Sequence, residues 1–131
     1  MNFFIDENLS PHMVNLLKGL DRGEHEYTWL PSILGRGCPD EKWMDHIQDD
    51  DSPPFVICAD GRILRNKQQK EVLKKSGIHF VNVEALQNQL WQAQCLKLCR
   101  CWDDVLRACA RVRHQTVIII SAQGRVHVEK L

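Results

Sequence analysis

Much that would mark this chain for export or for a membrane is missing from it. Its apolar opening, Phe3–Ile5, stops at Asp6–Glu7, too short for the core of a secretory leader. Apolar runs such as Val117–Ile120 fall far short of the ~20 residues that cross a bilayer, so no membrane partner is expected. There is no CxxC pair and no HExxH, and the histidines follow no metal-binding spacing. Four of the six cysteines (Cys95, Cys99, Cys101 and Cys109) crowd one helical stretch. The spacing of the first three does not share one helical face, so reduced core or partner-facing thiols are expected, and with them a cytoplasmic setting. There is no internal repeat and no low-complexity tract. Net charge is also lacking, which excludes a simple nucleic-acid coating protein.

What is present has the dimensions of one globular unit. The 131 residues suffice for a single domain over 1–131 with one core, and are too few for two of ordinary size. The zero charge averages two opposed blocks. Six acids (Asp40, Glu41, Asp45, Asp49, Asp50, Asp51) face one Lys42, and six bases (Arg62, Arg65, Lys67, Lys70, Lys74, Lys75) face one Glu71. Such polarity suits a cation at one place and a polyanion beside it, although two solvated helix faces would look the same.

The periodicity alternates strand and helix. Asn2–Ile5 reads as a short buried strand, and Ser10–Pro11 as an N-cap with proline at the first helical position. Met13, Leu16, Leu17 and Leu20 then line one helical face, ended by Gly23. Glu26–Leu30 is expected as a second strand and Gly35–Gly37 as a loop. A helix starting at Pro39 carries Trp43, Met44 and Ile47, and Asp49–Pro54 is a linker. Phe55–Ala59 is a buried strand, followed by a basic helix from Ile63 to Ser76, stopped by Gly77. His79–Val83 is a fourth strand. Glu84–Arg113 contains no glycine or proline, and thirty residues is long for one helix, so a break is expected near Arg100–Trp102, with Asp103–Asp104 opening a new helix. Apolar residues cover more of this stretch than one core face needs, which suggests an interface with a partner protein or a second copy. Trp91 and Trp102 read as core anchors. Trp29 and Trp43 are nearer the acids and could stack on bases, though burial is the commoner fate. Thr116–Ser121 and Arg125–Glu129 form a hairpin around Ala122–Gly124. The fold class is therefore α/β, a mostly parallel twisted sheet flanked by helices, with a C-terminal helical stretch and hairpin.

In such a sheet, ligands gather beyond the carboxyl ends of the strands. Asp6 follows the first strand and Asp60 the third. With strand order 2-1-3-4 these acids end neighbouring strands and face one another, and two such carboxylates repel unless a cation or proton lies between them. Mg²⁺ or Mn²⁺ suits hard oxygen donors, and either could activate a water and neutralise charge on a phosphodiester. Asp40 and Glu41 open a helix, where the helix dipole favours acids whatever the function. Asp60–Gly61 is also a common turn pair. A phosphoacceptor receiver domain shares the acid positions, but it needs a lysine after its fifth strand, and Ser121 is followed by Ala122–Gln123.

Phe3-Phe4-Ile5-Asp6-Glu7-Asn8-Leu9-Ser10-Pro11 resembles the start of PIN-like toxin nucleases, where a strand ends in Asp-Glu-Asn-Leu. Gly37-Cys38-Pro39-Asp40-Glu41 is similar to their second motif. Ala59-Asp60-Gly61-Arg62-Ile63 with Arg65-Asn66 is similar to their third, with Ser76-Gly77-Ile78 entering the next strand. The stretch from Trp91 to Arg113, with Trp102 between helices, and the Gly124-Arg125-Val126 hairpin resemble the VapC-type branch with a PIN-like fold. The resemblance implies a Mg²⁺- or Mn²⁺-dependent endoribonuclease toxin acting on RNA and neutralised by a small antitoxin. It implies Asp6, Asp40 and Asp60 as metal ligands, with Glu41 as the alternative to Asp40. Asn8, Arg62, Arg65 and Asn66 are then placed to orient substrate or water. Many members carry a further acid where this chain has Ile63, and that departure also admits an inactive PIN-like scaffold that binds protein or RNA. Glu7, one residue on from Asp6, is expected to point away from the site.

Overall fold

The computed structural model describes residues 1–131. Six short strands form one sheet: β1 (Asn2–Ile5), β2 (Glu26–Trp29), β3 (Phe55–Cys58), β4 (His79–Asn82), β5 (Thr116–Ile120) and β6 (Val126–Lys130). Their order is β2-β1-β3-β4-β5-β6. The first five are mutually parallel, and only β6 runs antiparallel, on β5. The expected α/β class and the central order 2-1-3-4 are both present.

Each crossover is helical, because parallel neighbours need a connection that returns over a sheet face. Helices α1 (Pro11–Asp21) and α6 (Trp91–Ala110) cover one face, and α3 (Asp40–Ile47) and α5 (Lys67–Ser76) the other. Burial on both sides explains the unbroken apolar run of β3, whose four residues are all buried. The larger core layer joins Phe3, Ile5 and Ile57 of the sheet to Met13 and Leu17 of α1 and to Leu98, Trp102 and Val105 of α6. The smaller joins Val56, Cys58 and Phe80 to Trp43, Met44 and Leu73. Ser10 caps α1 as its sequence suggests, its Oγ accepting from the His12 N–H at 3.1 Å beside Pro11.

Two helices depart from expectation. The basic segment is not one helix: α4 (Arg62–Arg65) stops and α5 starts afresh at Lys67. Asn66 between them is extended (φ −84°, ψ 119°), and its side-chain oxygen accepts from the Gln69 N–H at 3.0 Å. Asparagine stabilises a helix start better than a helix interior, so the chain breaks where the cap lies. Conversely, α6 runs unbroken through Arg100–Trp102 for 20 residues. Leu98, Cys101, Trp102, Val105 and Cys109 keep one buried stripe across the expected break, and Asp103 and Asp104 lie on the exposed face, capping nothing. Trp102 Nε1 donates to the Tyr27 hydroxyl at 3.1 Å, locking the middle of α6 to β2. The interruption falls earlier, in a 3₁₀ turn at Glu84–Leu86 and the non-helical Gln87–Leu90.

Smaller differences follow. Leu30 begins a short helix, α2 (Leu30–Leu34), rather than ending β2. Trp91 is 41% exposed, so it anchors no core, whereas Trp102 is 1% exposed and does. All six cysteines are free. No helix is long and apolar enough to cross a membrane.

His79 is buried at the start of β4, stacked on Phe55, and its Nδ1 accepts from the Thr116 N–H at 3.2 Å. Burial lowers its pKa below the usual histidine value. The unfolded chain therefore binds this proton more readily than the folded one. The contribution of neutral His79 is complete above about pH 6.5 and is lost as pH falls through that value toward the depressed folded pKa. Urea unfolding at pH 7.5 and pH 5 should show a smaller acid-side loss of stability for His79→Gln, which keeps an acceptor for Thr116, than for the wild type. Equal losses in the two proteins would contradict this role.

Candidate active site

The parallel pairing of β1 with β3 builds the site. Ile5 is level with Ile57, and the register continues through the Asp6 N–H, which donates to the Ile57 carbonyl at 3.0 Å. Asp6 thus arrives beside Cys58, and Asp60 follows two residues on. A cavity of about 570 Å³ opens at this rim on the α3–α5 side. Its acids are Asp6, Asp40 and Asp60. Arg62, Arg65, Asn66 and Gln69 add polar groups, over an apolar wall of Trp43, Ile63 and Phe80.

Cys58 is the centre that sequence reasoning missed. Its thiol donates to Asp6 Oδ2 at 3.2 Å, and its sulfur accepts from the Asp60 N–H at 3.3 Å. Burial, reinforced by the Asp6 charge, pushes this thiol far above its usual pKa, so it remains a protonated donor. The strand alternation carried the signal. Cys58 lies two residues before Asp60, and the β1–β3 register sets it opposite Asp6.

Asp6 and Asp60 are shifted in opposite directions. Burial raises the pKa of Asp6, opposed by the hydrogen bond from Cys58 and added to by the negative charges of Asp40 and Glu7. Asp60 is shifted the other way, because Arg62 binds it closely. Arg62 Nε lies 2.9 Å from both Asp60 oxygens, its Nη2 lies 2.6 Å from Oδ2, and its backbone N–H donates to Oδ1 at 3.0 Å. Asp40 projects from the first turn of α3, where its Oδ1 accepts from Trp43 Nε1 at 2.9 Å. The mutual repulsion expected of Asp6 and Asp60 therefore falls on Asp6 and Asp40 instead. No group of three or more His, Cys, Asp or Glu side chains is gathered closely enough to hold an ion as they stand.

The other predicted residues divide. Arg62, Arg65 and Asn66 reach the cavity, although Asn66 spends its side-chain oxygen on the α5 cap. Arg65 is paired with Glu84 through contacts of 3.1 and 3.2 Å, a partner that the sequence reading placed only in a helical stretch. The Glu84 carboxylate sits where a side chain on Gly61 would be, since a Cβ there would lie only 1.9 Å from Oε2. Glu41 is exposed and off the cavity wall, one position round α3 from Asp40. Asn8 is also off this cavity: its Oδ1 accepts from the Ala59 N–H at 3.3 Å, tying the loop after β1 to the end of β3. Glu7 does point away. Both its oxygens accept from the Gly37 N–H, at 3.1 and 3.0 Å, holding that loop at a positive φ of 72° that favours glycine. Trp43 is 3% exposed and too buried to stack on a base, and Trp29 carries the Arg36 guanidinium 5.1 Å above its ring.

Against this geometry, the family model described as the PIN like domain matches residues 1–85. The chain belongs to the PIN-like domain family. The matched segment holds β1 to β4 and every cavity residue named above. Neither the curated proteins nor the solved structures contain a match to the chain.

Because ionised Asp6 is held in a partly buried, negatively charged place, its raised pKa makes a contribution to stability that falls as pH rises above the unfolded carboxylate value. Asp6→Asn removes that loss and leaves an oxygen for the Cys58 thiol. In metal-free buffer at pH 7 its melting temperature should rise by roughly a few degrees. Asp60→Asn instead gives up an exposed ion pair and should gain nothing. A lower melting temperature for Asp6→Asn, measured by calorimetry, would overturn this account of the charge balance.

Proposed function

We propose that this PIN-like chain is a metal-dependent endoribonuclease of the VapC type, hydrolysing RNA phosphodiesters in the Asp6–Asp40–Asp60 cavity. The observation that carries the reading is the unbalanced charge of Asp6. A half-buried carboxylate whose pKa is raised by burial and by Asp40, in a cavity with basic groups on its rim, suits a divalent cation. The donors fit Mg²⁺ or Mn²⁺ in type, being carboxylate oxygens with room for waters. Asp6 and Asp40 would hold it, with Asp60, which is paired to Arg62 in the free protein, as a third carboxylate in the same cavity. The ion would supply an activated water and neutralise charge on the phosphoryl oxygens.

The protein's own groups do the rest. The Cys58 thiol holds the Asp6 carboxylate in one orientation, and Trp43 holds Asp40, so neither must be ordered when substrate arrives. Arg62 and Arg65 have carboxylate partners in the free protein. Both pairs are solvent-exposed, so an RNA phosphate can displace Asp60 or Glu84 at little cost. Buried Ile63 and Phe80 form the dry wall behind the cavity. As a toxin the chain would be silenced by a small antitoxin protein, and co-expression with the neighbouring gene tests that part of the reading.

The competing reading, a scaffold that binds without cutting, is favoured by Ile63, which is 5% exposed in the cavity wall at the position where the family resemblance implies a further acid. An RNase assay separates the two. Activity should require Mg²⁺ or Mn²⁺, vanish in EDTA, and fall at least about a hundredfold in Asp6→Asn and in Asp60→Asn. Mn²⁺ should also raise the melting temperature of the wild type more than that of Asp6→Asn. Cleavage that persists in EDTA would sink the metal site. No cleavage under any condition, with RNA still bound, would support the scaffold.

The two arginines give a second measurement. Each lost phosphate contact on a single strand should flatten the plot of log K against log[salt] by roughly 0.7. Arg62→Ala and Arg65→Ala should each show that change. Lys74→Ala should not, because Lys74 lies in the last turn of α5, beside Glu71. Equal slopes for all four proteins would remove the arginines from the RNA path.

A further inference from the structure

A second cavity, of about 740 Å³, lies outside the matched residues, between the C-terminal half of α6 and the edge strand β6. Its floor is aliphatic: Ala108 and Val112 on the helix side, Val126 and Val128 on the strand side. Val128 is 56% exposed, so this floor is an uncovered margin of the larger core layer. Arg107, Arg111, Arg113 and Arg125 stand around it. Arg107 is paired with Asp104, whereas the other three make no ion pair.

The strand beside this groove has a free edge. β6 is last in the sheet order and pairs only with β5. The Ser121 N–H donates to the Arg125 carbonyl and the Leu131 N–H to the Gln115 carbonyl. Bonded pairs alternate along an antiparallel ladder, so His127 and Glu129 turn their backbone groups to β5. Val126, Val128 and Lys130 therefore turn theirs outward, where no strand receives them.

We propose that this edge and groove bind an extended acidic peptide segment of another protein, added to β6 as a seventh strand. The outward backbone groups supply the ladder, the valine floor takes aliphatic side chains, and Arg111, Arg113 and Arg125 take the acids. Nucleic acid suits the groove less well, because no Phe, Tyr or Trp lines it and the His114 imidazole is its sole aromatic ring for a base to stack on. A second copy of the chain suits it less well too. Antiparallel pairing of two β6 strands would bring two arginine rims together, with Glu129 as the only acid in the strand.

The test uses the full chain and a fluorescent eight-residue peptide whose groove-facing positions carry both glutamate and valine, with threonine at the positions between them. Controls are the same peptide with lysine for glutamate and a single-stranded RNA 12-mer. The acidic peptide should bind in a salt-sensitive manner and move the amide resonances of Val126, Val128 and Lys130. Arg111→Glu should weaken it by about tenfold or more. Val128→Pro should do the same while preserving the fold, because the N–H it removes faces the free edge and not β5. The reading is overturned by no binding at millimolar peptide, by equal binding of the lysine peptide, or by unchanged affinity in both variants. It is also overturned if the shifts fall at the Asp6 cavity, if only RNA moves the β6 amides, or if light scattering finds a dimer that Val128→Pro dissolves.

Discussion

The candidate active site rests on the parallel pairing of β1 with β3. That register sets Ile5 against Ile57 and continues to the hydrogen bond between Asp6 N–H and the Ile57 carbonyl. It brings the carboxylate that ends one strand onto the thiol that ends the next. A one-residue slip of β1 would turn Asp6 to the other face of the sheet, into the layer that α1 and α6 cover and away from Cys58. The slip is prevented by the core itself. Phe3 and Ile5 fill the larger layer with Phe55 and Ile57, and Val56 and Cys58 fill the smaller one. The apolar packing that stabilises the sheet is therefore also what aims the polar groups at its rim.

With the backbone so constrained, the rim sorts its charges by exposure. Asp60 and Glu84 are open enough to hold arginines in water-exposed pairs, which water and salt make readily exchangeable. Asp6 is deeper. Its donors are the Cys58 thiol and the Glu7 backbone N–H, and neutral donors leave its charge uncancelled. The cavity thus combines a carboxylate without a cationic partner and two guanidiniums whose anionic partners are exposed and exchangeable. Under the proposed function, the first is the metal end and the second the phosphate end.

Much of this was legible in the residues. Apolar runs of four or five between turn signals located the strands, and the position of Asp6 and Asp60 after two of them pointed to the rim. The readings that failed share a cause: they treated a local pattern without its tertiary partner. The basic run looked like one helix because its charges are continuous, but Asn66 caps better than it propagates. Asp103–Asp104 looked like a helix start, but the buried stripe through Trp102 carries α6 past it. Asp60 and Asp6 were expected to repel unless a cation or proton intervened, and the cation that pairs with Asp60 is Arg62, two residues away. Cys58 was hidden because within Phe55–Ala59 it is one more small apolar residue. Only the register across β1 gives its sulfur a role.

The same sheet explains why a second binding surface would not interfere with the first. Cys58, Trp43 and Ile63 place the acidic cavity on the α3–α5 face. The residues of β6 that border the groove, Val126 and Val128, are paired with Ile120 and Ile118, which belong to the opposite layer under α6. Between them β4 and β5 are packed on both sides, with Phe80, Val81, Ile118 and Ile120 all fully buried. A close-packed wall of this kind transmits strain but no water and no ligand. A sheet edge is also energetically exposed in a way that a strand end is not, because its unpaired N–H and C=O groups invite another strand along its whole length. β6 carries His127, Glu129 and Lys130, the kind of charged decoration that discourages indiscriminate pairing. The arginines beside it leave one chemistry welcome, an acidic strand, so the edge is selective where a bare edge would be sticky.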